Sequence, residues 1–135
     1  MPFTTRISIA FGDTDPAGLV YYPNIFHYCH IAMERFVSER AGIGYSELIR
    51  DQRLGFPTVK VKAEFISPIV YGDEIYIEVK VEAIGNSSFT LTYLITRALD
   101  QSVCAKIEQV HVAMQMDTRR SVTLPSNLRA QFSLQ

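Results

Sequence analysis

Asp13 and Asp15 lie two positions apart in the segment Gly12-Asp13-Thr14-Asp15-Pro16-Ala17-Gly18, just ahead of residues that bear the marks of a helix start. A carboxylate in that place can attack an electrophilic carbonyl, or take a proton from a water that attacks instead. Unpaired amides at a helix start carry roughly +0.5 charge, enough to polarise a carbonyl or steady an oxyanion laid against them. Pro16 restricts the backbone at Asp15 and Gly18 lets the chain double back, so the loop reads as a fixed structure. Aspartates in turns also serve simply as caps, and the loop by itself leaves both roles open. His27 and His30 have a helical spacing compatible with a metal, but no third ligand is suitably placed, so no metal is expected. The chain has no Walker loop, dinucleotide fingerprint or G-x-S-x-G elbow, and no Ser-His-Asp set is visible.

The elements that must hold these residues follow from periodicity. From Phe3 to Phe11 apolar residues alternate with polar ones, which predicts a strand ending at Gly12. Pro23 suits the first turn of a helix, and Phe26, Cys29, Met33, Phe36 and Val37 recur at helical spacing until Gly42 and Gly44, predicting a helix over 23–41. A short helix over 46–51 is predicted with Ser46 as its N-cap. Beyond it the chain reads as strands: Thr58 to Ile66, then Ile75, Ile77, Val79, Val81 and Ala83 against charged neighbours, then Phe89 to Ile95, then Val103 to Met116. Short turns such as Gly85-Asn86 join them, so antiparallel neighbours are expected. The plan is α+β, an antiparallel sheet with one long helix on one face. The sheet edges left over predict a homo-oligomer that extends the sheet.

The 135 residues suffice for a single domain over 1–135, and with 47% hydrophobic and 20% charged residues the chain is an ordinary globular one. A formal charge of -1 provides no field for nucleic acid or acidic lipid. Cys29 and Cys104 have no paired-motif spacing and read as reduced, buried thiols. With no targeting segment and no span of membrane length, a cytoplasmic location and no membrane contact are expected.

The string from Phe11 to Asn24, F-G-D-T-D-P-A-G-L-V-Y-Y-P-N, resembles the opening motif of the 4-hydroxybenzoyl-CoA thioesterase family. Ala63-x-Phe65-x-x-Pro68, Tyr71-Gly72-Asp73-x-Ile75 and Gly85-Asn86-Ser87-Ser88-Phe89 are also similar to it. The resemblance implies the hotdog fold, with a sheet wrapped around the long helix and dimers paired into a homotetramer. It implies an acyl-CoA thioesterase that releases an aromatic or short-to-medium acid and CoA, with no cofactor beyond the CoA of the substrate. Carried over position by position, Asp15 is the catalytic carboxylate, the Tyr22 backbone N–H stabilises the oxyanion, and Asp13 is structural. His30 falls where the family has an acidic residue facing the acyl group, which argues against specificity for 4-hydroxybenzoate. Asn86, Ser87 and Ser88 fall where basic side chains suit the CoA phosphates; the phosphates then meet Lys60, Lys62 or Arg97, or stay in solvent. The alternatives are an acyl-carrier-protein thioesterase of the same fold and a non-catalytic acyl-CoA-binding subunit. Asp15 argues against the second of these, and the lack of a histidine in its loop argues against a dehydratase.

Overall fold

The computed structural model describes residues 2–133. Strand β1 (Phe3–Ser8) leads through a single 3-10 turn (Phe11–Asp13) and a loop into the long helix α1 (Tyr22–Ala41). A short helix α2 (Tyr45–Arg50) and strand β2 (Leu54–Gly55) follow, then β3 (Thr58–Phe65), β4 (Glu74–Ile84), β5 (Ser88–Arg97) and β6 (Val103–Val112). The chain closes with β7 (Met114–Gln115), β8 (Arg120–Ser121) and α3 (Ser126–Phe132). The main sheet is antiparallel in the order β1-β4-β5-β6-β3, and β2-β7-β8 form a small second one.

The alternation read in β4 and β5 becomes the inner face of the sheet. Ile77 faces Ile95, Val79 faces Tyr93 and Val81 faces Leu91 across the pair, and these six are buried together with Ile75 and Phe89. Against them α1 lays Ile25, Cys29, Ala32, Met33, Phe36 and Val37. The helix ends at Gly42 in the left-handed region (φ 74°), whose N–H bonds the Ser38 carbonyl; glycine takes this conformation without steric cost.

Several expectations shift in detail. The first strand stops at Ser8, because the Ala10 and Phe11 carbonyls accept from the Asp13 and Thr14 amides and wind the chain into the 3-10 turn, leaving Phe11 exposed. Ala83 is exposed, because a bulge after Val81 shifts the pleat by one residue. Ser46 does not cap α2: Gly44 is the N-cap, and Ser38 Oγ accepts from the Tyr45 N–H at 2.8 Å. The last predicted strand breaks at Ala113, where the chain leaves β5 to pair with β2. Strand β3 is exposed along its whole length, although Val59, Val61, Ala63 and Phe65 alternate with polar residues. It is the sheet edge, and α1 packs closely on β1 and β4 at the other side, reaching β3 only where the Tyr22 and Phe26 rings meet Phe65.

Candidate active site

The loop between β1 and α1 is built on two aspartates with different jobs. Asp13 Oδ2 accepts from the Tyr28 hydroxyl at 2.8 Å, and its carbonyl accepts from Tyr21 N at 3.1 Å and Asn24 Nδ2 at 2.8 Å. It therefore pins the loop to α1, the structural role expected of it. Burial, and then the Asp13 carboxylate, push the Tyr28 phenol well up, so it stays a donor.

Asp15 closes a tight turn. Its N–H donates to the Leu19 carbonyl at 2.7 Å, and its carbonyl accepts from Gly18, whose φ of 80° the reversal requires. Oδ1 accepts from Ala17 N at 2.9 Å and Leu19 N at 3.2 Å. Oδ2 has no hydrogen bond among the described residues. Asp15 is therefore a turn cap through one oxygen and an available base or nucleophile through the other.

The chain then runs through Val20, whose N–H bonds the Ile69 carbonyl at 2.8 Å, into the first turn of α1. There Tyr22 is the first helical residue, Pro23 has no N–H, and Asn24 N bonds back to the Tyr21 carbonyl at 2.8 Å. The Tyr22 N–H has no acceptor among the described residues, the usual state of a first-turn amide. A cavity of about 230 Å³ opens beside it, lined by Leu19, Val20, Tyr22, Ile25, Phe65 and the chain from Ile66 to Ile69. Asp15 does not line it, but Leu19, to which its carboxylate is bonded, does.

His30 is exposed and sits on the flank of α1, not in its buried stripe. Its ring meets that of Tyr45 edge-on at 6.4 Å, and with Phe26, Thr58, Val61 and Gln109 it lines a second cavity of about 370 Å³. Tyr22, Phe26 and His30 are each four residues apart and form one stripe facing β3, where Phe65 meets both Tyr22 and Phe26. The two cavities lie along this stripe. Sequence reasoning missed Gln109, although its place in the series Ala105, Ile107, Gln109, His111 put a polar side chain on a buried face.

Asn86, Ser87 and Ser88 lie at the far end of the sheet from Asp15. The β1–α1 loop bonds to residues 69–71 just before β4 begins, whereas these three follow its end; the eleven residues between span ~35 Å. One chain therefore does not bring them to Tyr22. Their carbonyls hold later segments: Asn86 O accepts from Leu124 N, and Ser87 O from Ala113 N. The Arg129 guanidinium, from α3, donates to the Gly85 and Asn86 carbonyls at 2.8 and 2.9 Å, which places a cation at this turn that the turn's own residues lack. Arg97 is not available for a phosphate: it bonds Asp73, Asp100, Ser102 and the Pro68 carbonyl.

A five-stranded antiparallel sheet curled over one long helix, with a cavity at the helix start, is the hotdog arrangement of thioesterases. The chain belongs to the thioesterase-like superfamily, whose family model matches residues 9–132. It is 32% identical over 128 residues to a 1,4-dihydroxy-2-naphthoyl-CoA hydrolase of Nostoc punctiforme, covering 95% of this chain and 84% of that one. A solved gentisyl-coenzyme A thioesterase superposes with a TM-score of 0.87 at 29% identity, covering 96% of this chain and 99% of the other. The 4-hydroxybenzoyl-CoA thioesterase of Pseudomonas sp. superposes with a TM-score of 0.88, covering 96% and 98%; at 24% identity it speaks for the fold.

Proposed function

We propose that the protein hydrolyses the thioester of an aromatic acyl-CoA to the free acid and CoA, with Asp15 and the Tyr22 N–H as its catalytic groups. The observation that carries this is the unpaired Tyr22 amide at the mouth of a cavity, one short turn from a carboxylate with one oxygen uncommitted. The thioester carbonyl lies against the Tyr22 N–H and gains partial positive character at carbon. Either Asp15 Oδ2 attacks that carbon, CoA leaves as thiolate and water hydrolyses the resulting anhydride, or Asp15 takes a proton from an attacking water. Both routes develop negative charge on the carbonyl oxygen, which the helix-start amide stabilises. A thiolate leaves without the general acid an amine requires, and no cofactor is called on. The relatives named above act on aromatic CoA thioesters by name, which supports the same class here.

The site reaches completion in a homodimer. β3 is an uncovered edge whose Val59, Val61 and Phe65 are 60%, 44% and 49% exposed, and residues of this kind seek a second edge. If two β3 strands pair antiparallel about a two-fold axis, the Thr58 end of one lies against the Phe65 end of the other. That carries the turn of Asn86, Ser87 and Ser88, with Arg129, towards the partner's helix start, where CoA phosphates would meet a cation.

Asp15→Asn is the direct test. Asparagine keeps an Oδ1 to accept from Ala17 and Leu19, so the turn and the melting temperature persist. Thiol release from aromatic acyl-CoAs falls ~10²–10⁴-fold with the basic oxygen gone. Near-normal rates would remove Asp15 from the mechanism. Including acyl-carrier-protein forms of the same acids decides between the two carriers.

A further inference from the structure

Gln109 stands mid-strand in β6 on the inner face of the sheet, between Val61 and Leu91 in cross-strand register, and is 6% exposed. The other buried polar side chains of the described residues are bonded: Thr5 Oγ1 accepts from Arg35, and His111 meets Phe56, Thr58 and Tyr93. The Gln109 amide has no hydrogen bond there. No buried side-chain nitrogen or oxygen of the described residues lacks a partner, so the Gln109 amide, which bonds nothing in the chain, turns its polar atoms to the open cavity and offers both a donor and an acceptor to whatever enters it. It shares that cavity with Phe26, His30, Thr58 and Val61.

That cavity lies along the α1 stripe from Tyr22. Eight residues separate Tyr22 from His30, about 12 Å of helix axis, and helical side chains lean back towards the N-terminus. An acyl group with its carbonyl at the Tyr22 N–H therefore reaches the Gln109 end with a rigid body on the order of 8–10 Å long, passing the Phe26 and Phe65 rings.

We propose that Gln109 is a specificity-determining residue: its amide reads a neutral hydroxyl group on the far edge of an aromatic acyl group, accepting its hydrogen at Oε1 and donating to its oxygen from Nε2. This rests on the thioesterase reading above and adds the substituent that the substrate carries. A hydroxyl satisfies both halves of the amide, whereas a bare ring or an alkyl chain leaves them unpaired. A carboxylate satisfies only the donor half.

The test measures binding, not turnover. Calorimetry with the full chain compares 6-hydroxy-2-naphthoate, whose hydroxyl stands on the far ring about 8 Å from the carboxyl carbon, with 2-naphthoate; the carboxylate is common to both, so only the distal hydroxyl separates them. The wild type binds the hydroxylated acid about tenfold tighter. In Gln109→Met and Gln109→Leu the ratio falls to within about twofold, while affinity for the bare acid is kept and the melting temperature is equal or higher, because no hydrogen bond within the chain is lost and apolar surface is gained. The proposal is overturned if the wild type does not distinguish the acids, if both variants keep its discrimination, or if both melt lower, which would make the amide a support of the core. Because no bond is broken in this assay, a failure to hydrolyse any thioester counts against the thioesterase reading alone.

Discussion

His111 is sealed inside the sheet at 1% exposure, with Nδ1 at 3.2 Å from the Phe56 carbonyl and Nε2 at 3.3 Å from the Tyr93 hydroxyl. A carbonyl only accepts, so Nδ1 carries the proton of the neutral ring and Nε2 accepts from Tyr93. Burial is the main cause that lowers its pKa from 6.5 to about 4; the Phe56 bond opposes this and nearby His30 adds to it. The unfolded chain takes up this proton near 6.5 and the folded chain only near 4, so the stability gained from a neutral His111 is intact above pH 6.5 and is lost as pH falls towards 4. The loss amounts to about 3 kcal/mol. Urea titrations from pH 7 to 4 should show the wild type losing that much more than His111→Gln, which stays neutral throughout; parallel curves would refute it. At this scale the sequence was informative where a motif was long. The motif from Phe11 to Asn24 marked the loop that holds both aspartates, but the engagement of Asp15 Oδ1 by two amides was not readable, since it depends on how the turn closes. Gln109 escaped because a residue's partners, or its lack of them, are set by strands distant in the chain.

The elements most plainly written in the sequence are α1, β4 and β5, where helical or alternate spacing runs unbroken over ten residues or more. Shorter elements fared unevenly: β3 and α2 fall within one residue of the predicted 58–66 and 46–51, β1 ends three residues early, and β2, β8 and α3 went unread. Helix α3 did so although Leu124, Leu128 and Phe132 recur every four residues after the turn, and Pro125 stands directly before the helix. Seven residues make a helix that is marginal by itself and exists through what it buries. Phe132 is 1% exposed, stacks on Phe36 at 5.4 Å and meets Phe89 at 5.0 Å, so it joins α3 to both α1 and β5. Phe132→Ala should cost about 3–5 kcal/mol, read as a lower urea midpoint at unchanged slope. A cost below 1 kcal/mol would mean that α3 is an ornament on a core complete without it.

For the whole molecule, the decisive feature is an edge that one chain leaves open. The outer strands of the main sheet are β1 and β3; β1 has α1 packed beside it, while β3 offers eight exposed residues with apolar side chains on one face. In the proposed dimer two such edges pair antiparallel about a two-fold axis, and the sheet continues across both chains. Both cavities lie between α1 and β3, so the second chain would wall what the first leaves open. Ala63, exposed near the middle of β3, lines neither cavity, and a two-fold axis through the strand centre brings the two copies of this position close together. Ala63→Lys therefore sets like charges against each other without touching a site residue. In sedimentation runs at micromolar concentration the wild type should move as twice the 15.3 kDa chain mass or a multiple of it, and Ala63→Lys as the single chain with thioesterase activity lost. A wild type that sediments as one chain, or a single-chain variant with full activity, would show that each protomer holds a complete site and that the edge serves some other contact.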